Sequence, residues 1–484
     1  MIQCASIPGR NADTFMLRKD DANRPVQTQV FGNDLLSQLD PDDCLLKLAA
    51  VIDWWRFDEE FSQYYSEDKG RPAIPIRRVV GLLILKAYEN LSDESVVLAY
   101  KRNPYYQAFC GEREFQRVAG CSSTELVHFR QRIGEAGVQM IFAESVRVHG
   151  GDAEEGEVHI DSTVQQKNIT YPTDSKLAIK IINRLSKLAK AKGLSQRRTY
   201  AKEVKGLRLD CRHFRHVKRR AKARRALKRL RTIAHVLIRE LRRQLPEAVL
   251  AANEETFALY ERVLNQKRMD KNKVYSLHEP QVYCIGKGKD HKAYEYGAKA
   301  SVVSTAKRGI ILAAVNHERN IHDSHTLPEV IGKAMEVRDK PITAAICERG
   351  YRGVKAVGET AIVVPSTPLK RDSRYQRDKK RRRCRRRAAI EPLIGHLKSD
   401  YRLGRCYLKG SVGDQINLLM AACAWNLRKW VMAFFYACNP CLSALELRGE
   451  RQPNQPSQRF ALISLMFTLS MFIAATARAP ISPF

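Results

Sequence analysis

Negative charge is scarce in this sequence. Its 484 residues include 52 Asp and Glu against 84 Lys and Arg, which leaves a formal net charge of +32. Solubility requires far less charge, so the excess predicts a polyanionic partner, namely DNA, RNA or an anionic membrane, with nucleic acid favoured. A ribosome-associated or merely basic protein would have a similar composition. The 44% hydrophobic content excludes a disordered tail and suits roughly two to four domains.

The sequence also lacks the features of a secreted, disulfide-bonded protein. Its 12 Cys are spread along the chain without the dense spacing of a disulfide scaffold. The first residues lack the apolar stretch of a secretory signal, so we expect a reducing cytoplasm. Cys438 and Cys441 form a C-x-x-C pair, but no second Cys or His pair at zinc-finger spacing accompanies them. We therefore expect no metal or redox site at this pair.

No uncharged apolar run reaches the length of a membrane span except Phe460 to Ala477. This run has 18 residues between Arg459 and Arg478, which is the lower length limit for a membrane span. Its Ser and Thr content and its place at the end of a basic chain favour a buried terminal helix or an accidental extension over an anchor. We expect no membrane contact, and a membrane-associated basic protein is the alternative that this run leaves open.

The N-terminal part of the chain is predicted to be helical. Residues 1–30 are a polar segment without a clear period, and 31–150 show helical periods with turn signals between them. Ile76 to Tyr88 is predicted to be a largely apolar helix, and Ser122 and Glu125 have the spacing of a capping box that opens another helix. Short helices with exposed cations suit a DNA-end reader of helix-turn-helix type, although such helices are common elsewhere.

Residues 151–435 differ because strand signals appear among the helices. Val158 and Ile160 predict a buried strand that ends at Asp161. A helical block at 174–270 then interrupts this second domain, and its apolar three-four spacing predicts packing against another helix. The spaced residues are Leu227, Leu230, Ala234, Leu237 and Leu241. The block is also dense in cations, which suit either a polyanion or a solvated helical face. Its candidate DNA-binding residues are Arg219, Arg220, Arg224 and Arg225.

Strand and helix signals alternate after the insertion. The alternation predicts an α/β fold, in which a mixed sheet carries helices on its faces. The predicted strands are Tyr294 to Thr305, Ile310 to Asn316, Ile342 to Cys347 and Ala361 to Val364. The predicted helices are Leu327 to Val337, Val354 to Gly358, a segment carrying Glu391, and Leu418 to Phe435. An arginine-rich loop is predicted at Lys370 to Arg387, and 436–484 is an atypical apolar tail.

Three acids are placed to carry chemistry. Asp161 and Glu348 each end a predicted strand, so they could project from one edge of the sheet. Glu391 must approach from a helix, which begins close by because Pro392 disfavours helical dihedral angles at the preceding residue. Phosphodiester cleavage needs an activated nucleophile and a stabilised leaving oxygen, which two divalent ions about 3.5 to 4 Å apart provide. Mg²⁺ takes oxygen ligands, so we expect these acids to be catalytic residues and metal ligands.

Each acid could have a purely structural role, and one cluster of histidines could form a different metal site. A single Asp at the end of a strand is more often a turn former or a helix cap, so the combination carries the prediction. His317, His322, Asp323 and His325 have a spacing that could bind zinc or iron. Histidines in a loop before a helix are more often caps or solvent-exposed, and we favour that interpretation.

The three acids lie in longer strings that resemble the DDE transposases of bacterial insertion sequences, in particular the insertion-sequence-five group. The similarity covers roughly residues 30–435. The strings are HIDSTVQQKNITYPTD from His159, NQKRMDKNKVYSLHEP from Asn265, NIHDSHTLPEV from Asn320, ERGYRG from Glu348 and AAIEPLIGHLKSDYRLGR from Ala388. The resemblance implies a ribonuclease H-like catalytic domain that cuts and joins DNA ends with two Mg²⁺ or Mn²⁺ ions. It implies that Asp161 is the first catalytic carboxylate and Glu391 the last.

The middle acid departs from the family pattern, which has Asp before Arg-Gly-Tyr-Arg-Gly where this chain has Glu348. The extra methylene moves the carboxylate outward, and errors of about 1 Å can cost on the order of a hundredfold in rate. We therefore predict slowed or absent chemistry with DNA binding kept. The tail after about Ala437 also departs from the family, and both features suggest a degenerate copy. A catalytically inactive DNA-binding protein, or a repressor at transposon ends, is the alternative function.

The resemblance also implies the partners. They are double-stranded DNA, in the form of terminal inverted repeats and target DNA, and further copies of the chain in a homo-oligomer. We expect a bacterial cytoplasmic protein associated with the nucleoid. Further candidate DNA-binding residues outside the insertion are Arg349, Arg352, Arg387, Lys398 and Arg402.

Overall fold

The computed structural model describes residues 15–16, 34–65, 71–267, 269–289, 292–365 and 368–438. The chain divides into two units, residues 1–430 and 431–484, and the described part of the second unit is the end of a helix. The apolar run 460–477, Cys441 and almost all of the polar segment 1–30 lie outside the described residues. Within the described part of the chain, no helix is long and apolar enough to cross a membrane.

Helices build the N-terminal part, as the sequence predicts. The capping box is present, because the Ser122 hydroxyl accepts from the Glu125 N–H and the Glu125 carboxylate accepts from the Ser122 N–H. Ring contacts join Phe61 to Phe57 and Phe129 in the core. The helices are α1 (Cys44–Val51), α2 (Trp54–Ser62), α3 (Ile76–Tyr88), α4 (Asp93–Arg102), α5 (Pro104–Phe109) and α6 (Ser123–Arg147). Two short strands, β1 (Phe15–Met16) and β2 (Arg71–Pro72), pair in parallel.

A mixed sheet of seven strands follows. The strands are β3 (Glu157–Gln166), β4 (Tyr283–Lys289), β5 (Lys292–Thr305), β6 (Ile311–His317), β7 (Ala344–Cys347), β8 (Ala356–Val357) and β9 (Thr360–Val363). Their order is β4, β5, β3, β7, β9, β8, and β6 also pairs with β5. Strand β3 runs antiparallel to β5 and parallel to β7. This change of direction at β3 confirms the mixed sheet that the sequence predicts.

The insertion between β3 and β4 is a helical bundle with its own apolar core. Leu230, Ala234, Leu237 and Leu241 of its central helix are buried, which confirms the predicted seam, and Leu227 at one end is half-buried. The helices are α7 (Asp174–Ala191), α8 (Ala201–Asp210), α9 (Arg220–Gln244) and α10 (Glu247–Asn265). The bundle therefore folds around buried apolar residues while its cations face outward.

Helix α14 (Gly410–Cys438) closes the free edge of β6. The side-chain amide of Asn426 accepts from the Ile311 N–H at 2.8 Å and donates to the Ile311 carbonyl at 2.9 Å. The amide of Gln415 accepts from the Asn316 N–H at 2.7 Å and donates to the Ala314 carbonyl at 2.9 Å. These amides satisfy the backbone groups that a neighbouring strand would otherwise pair with.

Two further helices follow the last strand of the sheet in the chain, and one of them was predicted to be a loop. They are α12 (Arg374–Arg387) and α13 (Ile390–Ser399), and α11 (Asp323–Met335) precedes β7. The arginine-rich segment predicted as a loop is therefore helical. Ser373 and Gln376 form a capping box at its start, and Arg and Lys are good helix formers, so a high charge density did not prevent the helix.

Three further predictions about the sheet region differ from the structure. Residues 354–358, predicted as a helix, contain β8 and the start of a tight turn in which Gly358 has φ +55°, a conformation that suits Gly in a hairpin. Strand β4 was missed because its glycines and lysines carry little strand signal. Asp161 does not end its strand, since β3 continues to Gln166 along its partner β5.

Candidate active site and nucleic-acid interface

Asp161 and Glu348 lie side by side because of the register of two parallel strands. Ile160 of β3 pairs with Cys347, the last residue of β7, so the next residue of each strand stands at the same edge. Asp161 continues in the sheet opposite Val302 of β5, and it is only 8% exposed. Glu348 leaves the sheet at this point and is exposed. The predicted meeting of the two acids is therefore supported by the backbone pairing itself.

Burial dominates the electrostatics of Asp161. It raises the pKa of the Asp161 carboxyl to about 6, and the nearby charges of Glu348 and Glu391 act in the same direction. The Ser162 N–H, 2.7 Å from Asp161 Oδ1, and the Arg387 guanidinium oppose the rise in the pKa. All three predicted acids thus lie within electrostatic reach of one another, which is the usual state of carboxylates gathered at a functional site.

Glu391 reaches the site from the first turn of α13, as the sequence predicts. Ile390, Leu393 and Leu397 bury one side of this helix, and α13 contacts β3. Pro392 is tolerated because the first N–H groups of a helix have no partner within the helix. The buried apolar stripe therefore fixes the helix, while Glu391 itself is exposed.

Arg387 connects two of the acids. Its Nη2 lies 2.5 Å from Glu391 Oε1, and its Nη1 lies 3.4 Å from Glu348 Oε1. Arg387 is the last residue of α12, so the cationic helix ends at the carboxylates. Its side chain is 18% exposed, against 53% for Glu348 and 60% for Glu391. The guanidinium therefore occupies the space between two carboxylates as their shared cation.

The donor set fits a hard divalent ion in chemical type. Asp161, Glu348 and Glu391 offer carboxylate oxygens, the ligands that Mg²⁺ and Mn²⁺ prefer, and two of them already hold a cationic side chain. Among the described residues, no group of three His, Cys, Asp or Glu side chains is close enough to hold a metal ion together. Arg387 lies between two of the acids, so their closer approach requires its guanidinium to move.

Seven of the nine predicted DNA-binding residues fall into two groups. Arg349 and Arg352 are exposed on the turn that follows Glu348, so they flank the acids together with Arg387. The cations of the insertion lie on a separate bundle, at the exposed start of α9. They are Arg219, Arg220, Arg224 and Arg225, all exposed. The structure thus offers one cationic surface beside the acids and a second on the insertion.

Two other predicted DNA contacts are placed differently. The Arg402 guanidinium donates to the Leu91 carbonyl of the N-terminal helices and lies over the Tyr407 ring at 5.4 Å. In this conformation Arg402 joins two parts of the fold, and its contact with DNA stays a prediction. Lys398 is half-buried on α13.

Helix α12 forms a cationic surface. The sequence predicted its charges but not that a helix presents them. Its 14 residues include eight Arg and two Lys against one Asp, and none of its residues is buried. The charge run was visible in the sequence, but a loop would not present it along one rigid axis. A helix of this composition suits a polyanion that runs along it. Because α12 leads directly to Arg387, this surface adjoins the acids.

The histidine cluster has structural roles. Nε2 of His317 lies 2.9 Å from the Ser301 hydroxyl, and burial lowers the pKa of His317 to about 4. The His322 side chain accepts from the Ser324 N–H and caps α11, which confirms the capping interpretation.

Comparisons with known proteins match two parts of the chain to transposase families. Residues 33–132 match the family described as Transposase domain (DUF772), and residues 269–427 match the family described as Transposase DDE domain. An uncharacterized protein, ORF8 in the nfe locus of Rhizobium meliloti, is 37% identical over 205 residues, which are 99% of that protein and 40% of this chain. No solved structure matches this chain.

The helical N-terminal region and the part of the chain from residue 269 to residue 427 thus both match transposases, enzymes of DNA recombination. The chain belongs to the DDE transposases of insertion sequences. This family cuts DNA and uses divalent metal ions. The DDE match contains Glu348 and Glu391 and begins after Asp161, and the helical insertion lies between β3 and the matched segment.

Proposed function

We propose that this chain binds the ends of an insertion sequence of the insertion-sequence-five group and catalyses metal-dependent cleavage and strand transfer. The observation that carries the proposal is the register of β3 and β7, which sets Asp161 beside Glu348, with Glu391 brought to them by α13. A central strand with one antiparallel and one parallel neighbour supports a ribonuclease H-like catalytic domain.

Asp161, Glu348 and Glu391 are the residues that would hold two Mg²⁺ or Mn²⁺ ions. Bound there, the ions would activate a water or a freed 3′-hydroxyl and stabilise the leaving oxygen. Asp161 is the rigid member, since β5 and β7 hold its strand on both sides. Arg387 neutralises Glu348 and Glu391 when DNA is absent, and a DNA phosphate offers its guanidinium another partner.

The cationic surfaces hold the DNA in this proposal. Helix α12 and the turn carrying Arg349 and Arg352 lie next to the acids, so they would contact the strand that is cut. The exposed start of α9 would contact DNA further along. The N-terminal helices, residues 31–150, would read the ends, and the chain would act as a homo-oligomer on paired inverted repeats in the bacterial nucleoid.

The test is cleavage of a duplex carrying the element's own end. Short inverted repeats on either side of the gene would supply that sequence. We expect Mg²⁺- or Mn²⁺-dependent nicking by the chain, loss of nicking in Asp161→Ala and Glu391→Ala, and retained end binding in both variants. Cleavage that survives in both variants would refute the assignment of these acids.

One observation favours a second function. Glu348 is longer than the Asp that the family pattern places before Arg-Gly-Tyr-Arg-Gly, and its carboxylate is already bound to Arg387. A chain that occupies transposon ends without cutting them would act as a repressor. Such a protein would bind the ends with the same steep salt dependence and show no nicking with either metal ion.

A further inference from the structure

Asp323, the first residue of α11, joins three elements next to the acids. The Ser162 hydroxyl donates to Asp323 Oδ1 at 2.8 Å. The ammonium of Lys299, on β5, lies 2.5 Å from the same oxygen and also donates to the Ile321 carbonyl at 2.8 Å. Lys299 is 8% exposed, so this ion pair is shielded from water on the side of the lysine.

Two of the groups around Asp323 belong to residues close in sequence to a predicted catalytic acid. Ser162 directly follows Asp161 on β3. Gly350 lies two residues after Glu348, and a Cβ added there would lie only 2.8 Å from Asp323 Oδ2. The backbone at Gly350 therefore lies close to Oδ2 of Asp323 and leaves no room for a side chain there, while the Ser162 hydroxyl donates to Oδ1. The Asp323 carboxylate thus lies next to the chain just after Asp161 and just after Glu348.

We propose that Asp323 is a positioning residue, which fixes the spacing of Asp161 and Glu348 for metal binding through Ser162 and the backbone at Gly350. The inference rests on the proposed function, because the spacing matters only if these acids bind metal. Asp323 is not placed as a ligand itself, since Ser162 and Lys299 already bind its Oδ1.

The charges around Asp323 suit this role. An additional acid beside three carboxylates would repel them, but the Lys299 ammonium neutralises Asp323 at short range. The start of α11 adds the positive end of a helix to the same carboxylate. Partners that hold metal ligands in place typically change metal affinity by about 10- to 100-fold when they are removed.

The experiment measures Mn²⁺ binding to the DNA-free full chain by electron paramagnetic resonance. Asp161→Ala defines the site, because its Mn²⁺ binding must be lost. Asp323→Asn keeps the size and one acceptor oxygen but loses the charge, and we expect about tenfold weaker binding. Ser162→Ala removes only the hydroxyl and should weaken binding in the same direction. Asp339→Asn, an exposed acid in the turn after α11, is the matched control and should bind as the wild type does.

The outcomes separate this inference from the proposed function. Wild-type affinity in Asp323→Asn or in Ser162→Ala, with unchanged circular dichroism, would overturn the positioning role alone. Absence of an Asp161-dependent Mn²⁺ site in the wild type would overturn the proposed function together with the inference. If Asp323→Asn does not fold because Lys299 loses its partner, Ser162→Ala decides the question.

Discussion

At the scale of single residues, Arg387 is the side chain that most affects the charge of the site. It binds Glu348 and Glu391 together, and it also opposes the rise in the pKa of the buried Asp161. The neighbouring Arg386 makes a different contact, 3.9 Å from Glu157. Two adjacent arginines thus differ in whether they neutralise the predicted metal ligands, which provides a matched pair of variants.

Arg387→Gln is expected to strengthen Mn²⁺ binding to the DNA-free chain by roughly fivefold. The reason is that a largely exposed ion pair contributes up to about 1 kcal/mol, and its loss leaves two acids free for a divalent ion. Arg386→Gln should leave the affinity unchanged. Equal or weaker Mn²⁺ binding in Arg387→Gln, measured by electron paramagnetic resonance, would show that Arg387 does not compete with metal.

His317 is expected to make the protein acid-sensitive. Its pKa is lowered from 6.5 to about 4 by burial, with Lys299 acting in the same direction and Asp323 opposing it. The unfolded chain therefore binds a proton below about pH 6.5, where the folded chain does not, so this stability is present above pH 6.5 and is lost as the pH falls towards 4. His317→Asn should show a smaller drop in melting temperature between pH 7 and pH 5 than the wild type. Parallel melting curves against pH would contradict this.

At the scale of elements, helix α12 is expected to contribute to DNA affinity and not to the chemical step. Replacing Arg382, Arg383 and Arg385 by Gln should flatten the dependence of log affinity on log salt, by up to about 0.9 for each DNA phosphate that the helix no longer neutralises. Replacing three exposed cations near the end of α7, namely Lys187, Lys190 and Lys192, is the matched control. An equal change of slope in both triple variants would show that α12 is not a specific DNA surface.

Helix α14 is expected to stabilise the sheet through its amides. Asn426 is fully buried and binds both backbone groups of Ile311. Asn426→Leu leaves these groups unpaired, and each unpaired buried group costs about 1 to 3 kcal/mol. We expect a clearly lower urea midpoint of unfolding, whereas Asn168→Leu, at an exposed amide, should change it little. A wild-type midpoint in Asn426→Leu would contradict the edge-capping role.

How far the sequence predicts these elements depends on the kind of signal. The capping box at Ser122 and the apolar seam of α9 were predictable because neighbours in the sequence determine them. Strand β4 was not, since its hydrogen bonds to β5 hold it despite a weak strand signal. Helix α12 was misread because a charge run looks the same in a loop and in a helix.

The candidate site likewise has features that the sequence predicts and features that only the structure shows. The candidate acids Asp161 and Glu391 were readable from the strings around them, and the strand signals before Asp161 and Glu348 indicated that these two would meet, although only Glu348 follows the end of its strand. Two features required the folded chain, because they join residues distant in sequence. One is the Arg387 bridge to Glu348, and the other is the contact of Asp323 with Ser162.

At the scale of the whole molecule, the chain has a net charge of +32. Two of its cationic surfaces lie on different parts of the fold. Helix α12 ends at Arg387, which contacts Glu348 and Glu391. The insertion carries its cations on a separate helical bundle. The insertion interrupts the sheet after β3, so the first acid is separated in sequence from the matched DDE segment. The fold reunites them because β3 pairs with β7.

The central claim is that Asp161, Glu348 and Glu391 act together as the metal-dependent site of a transposase. Its most direct test is the initial rate of Mg²⁺-dependent cleavage at a transposon end by Glu348→Asp, by the wild type and by Glu348→Asp combined with Asp161→Ala. Restoring the shorter carboxylate should raise the rate by on the order of a hundredfold, and the double variant should not cleave. Equal, robust rates in the wild type and Glu348→Asp would contradict the effect assigned to the longer side chain, and cleavage that persists in the double variant would contradict the central claim.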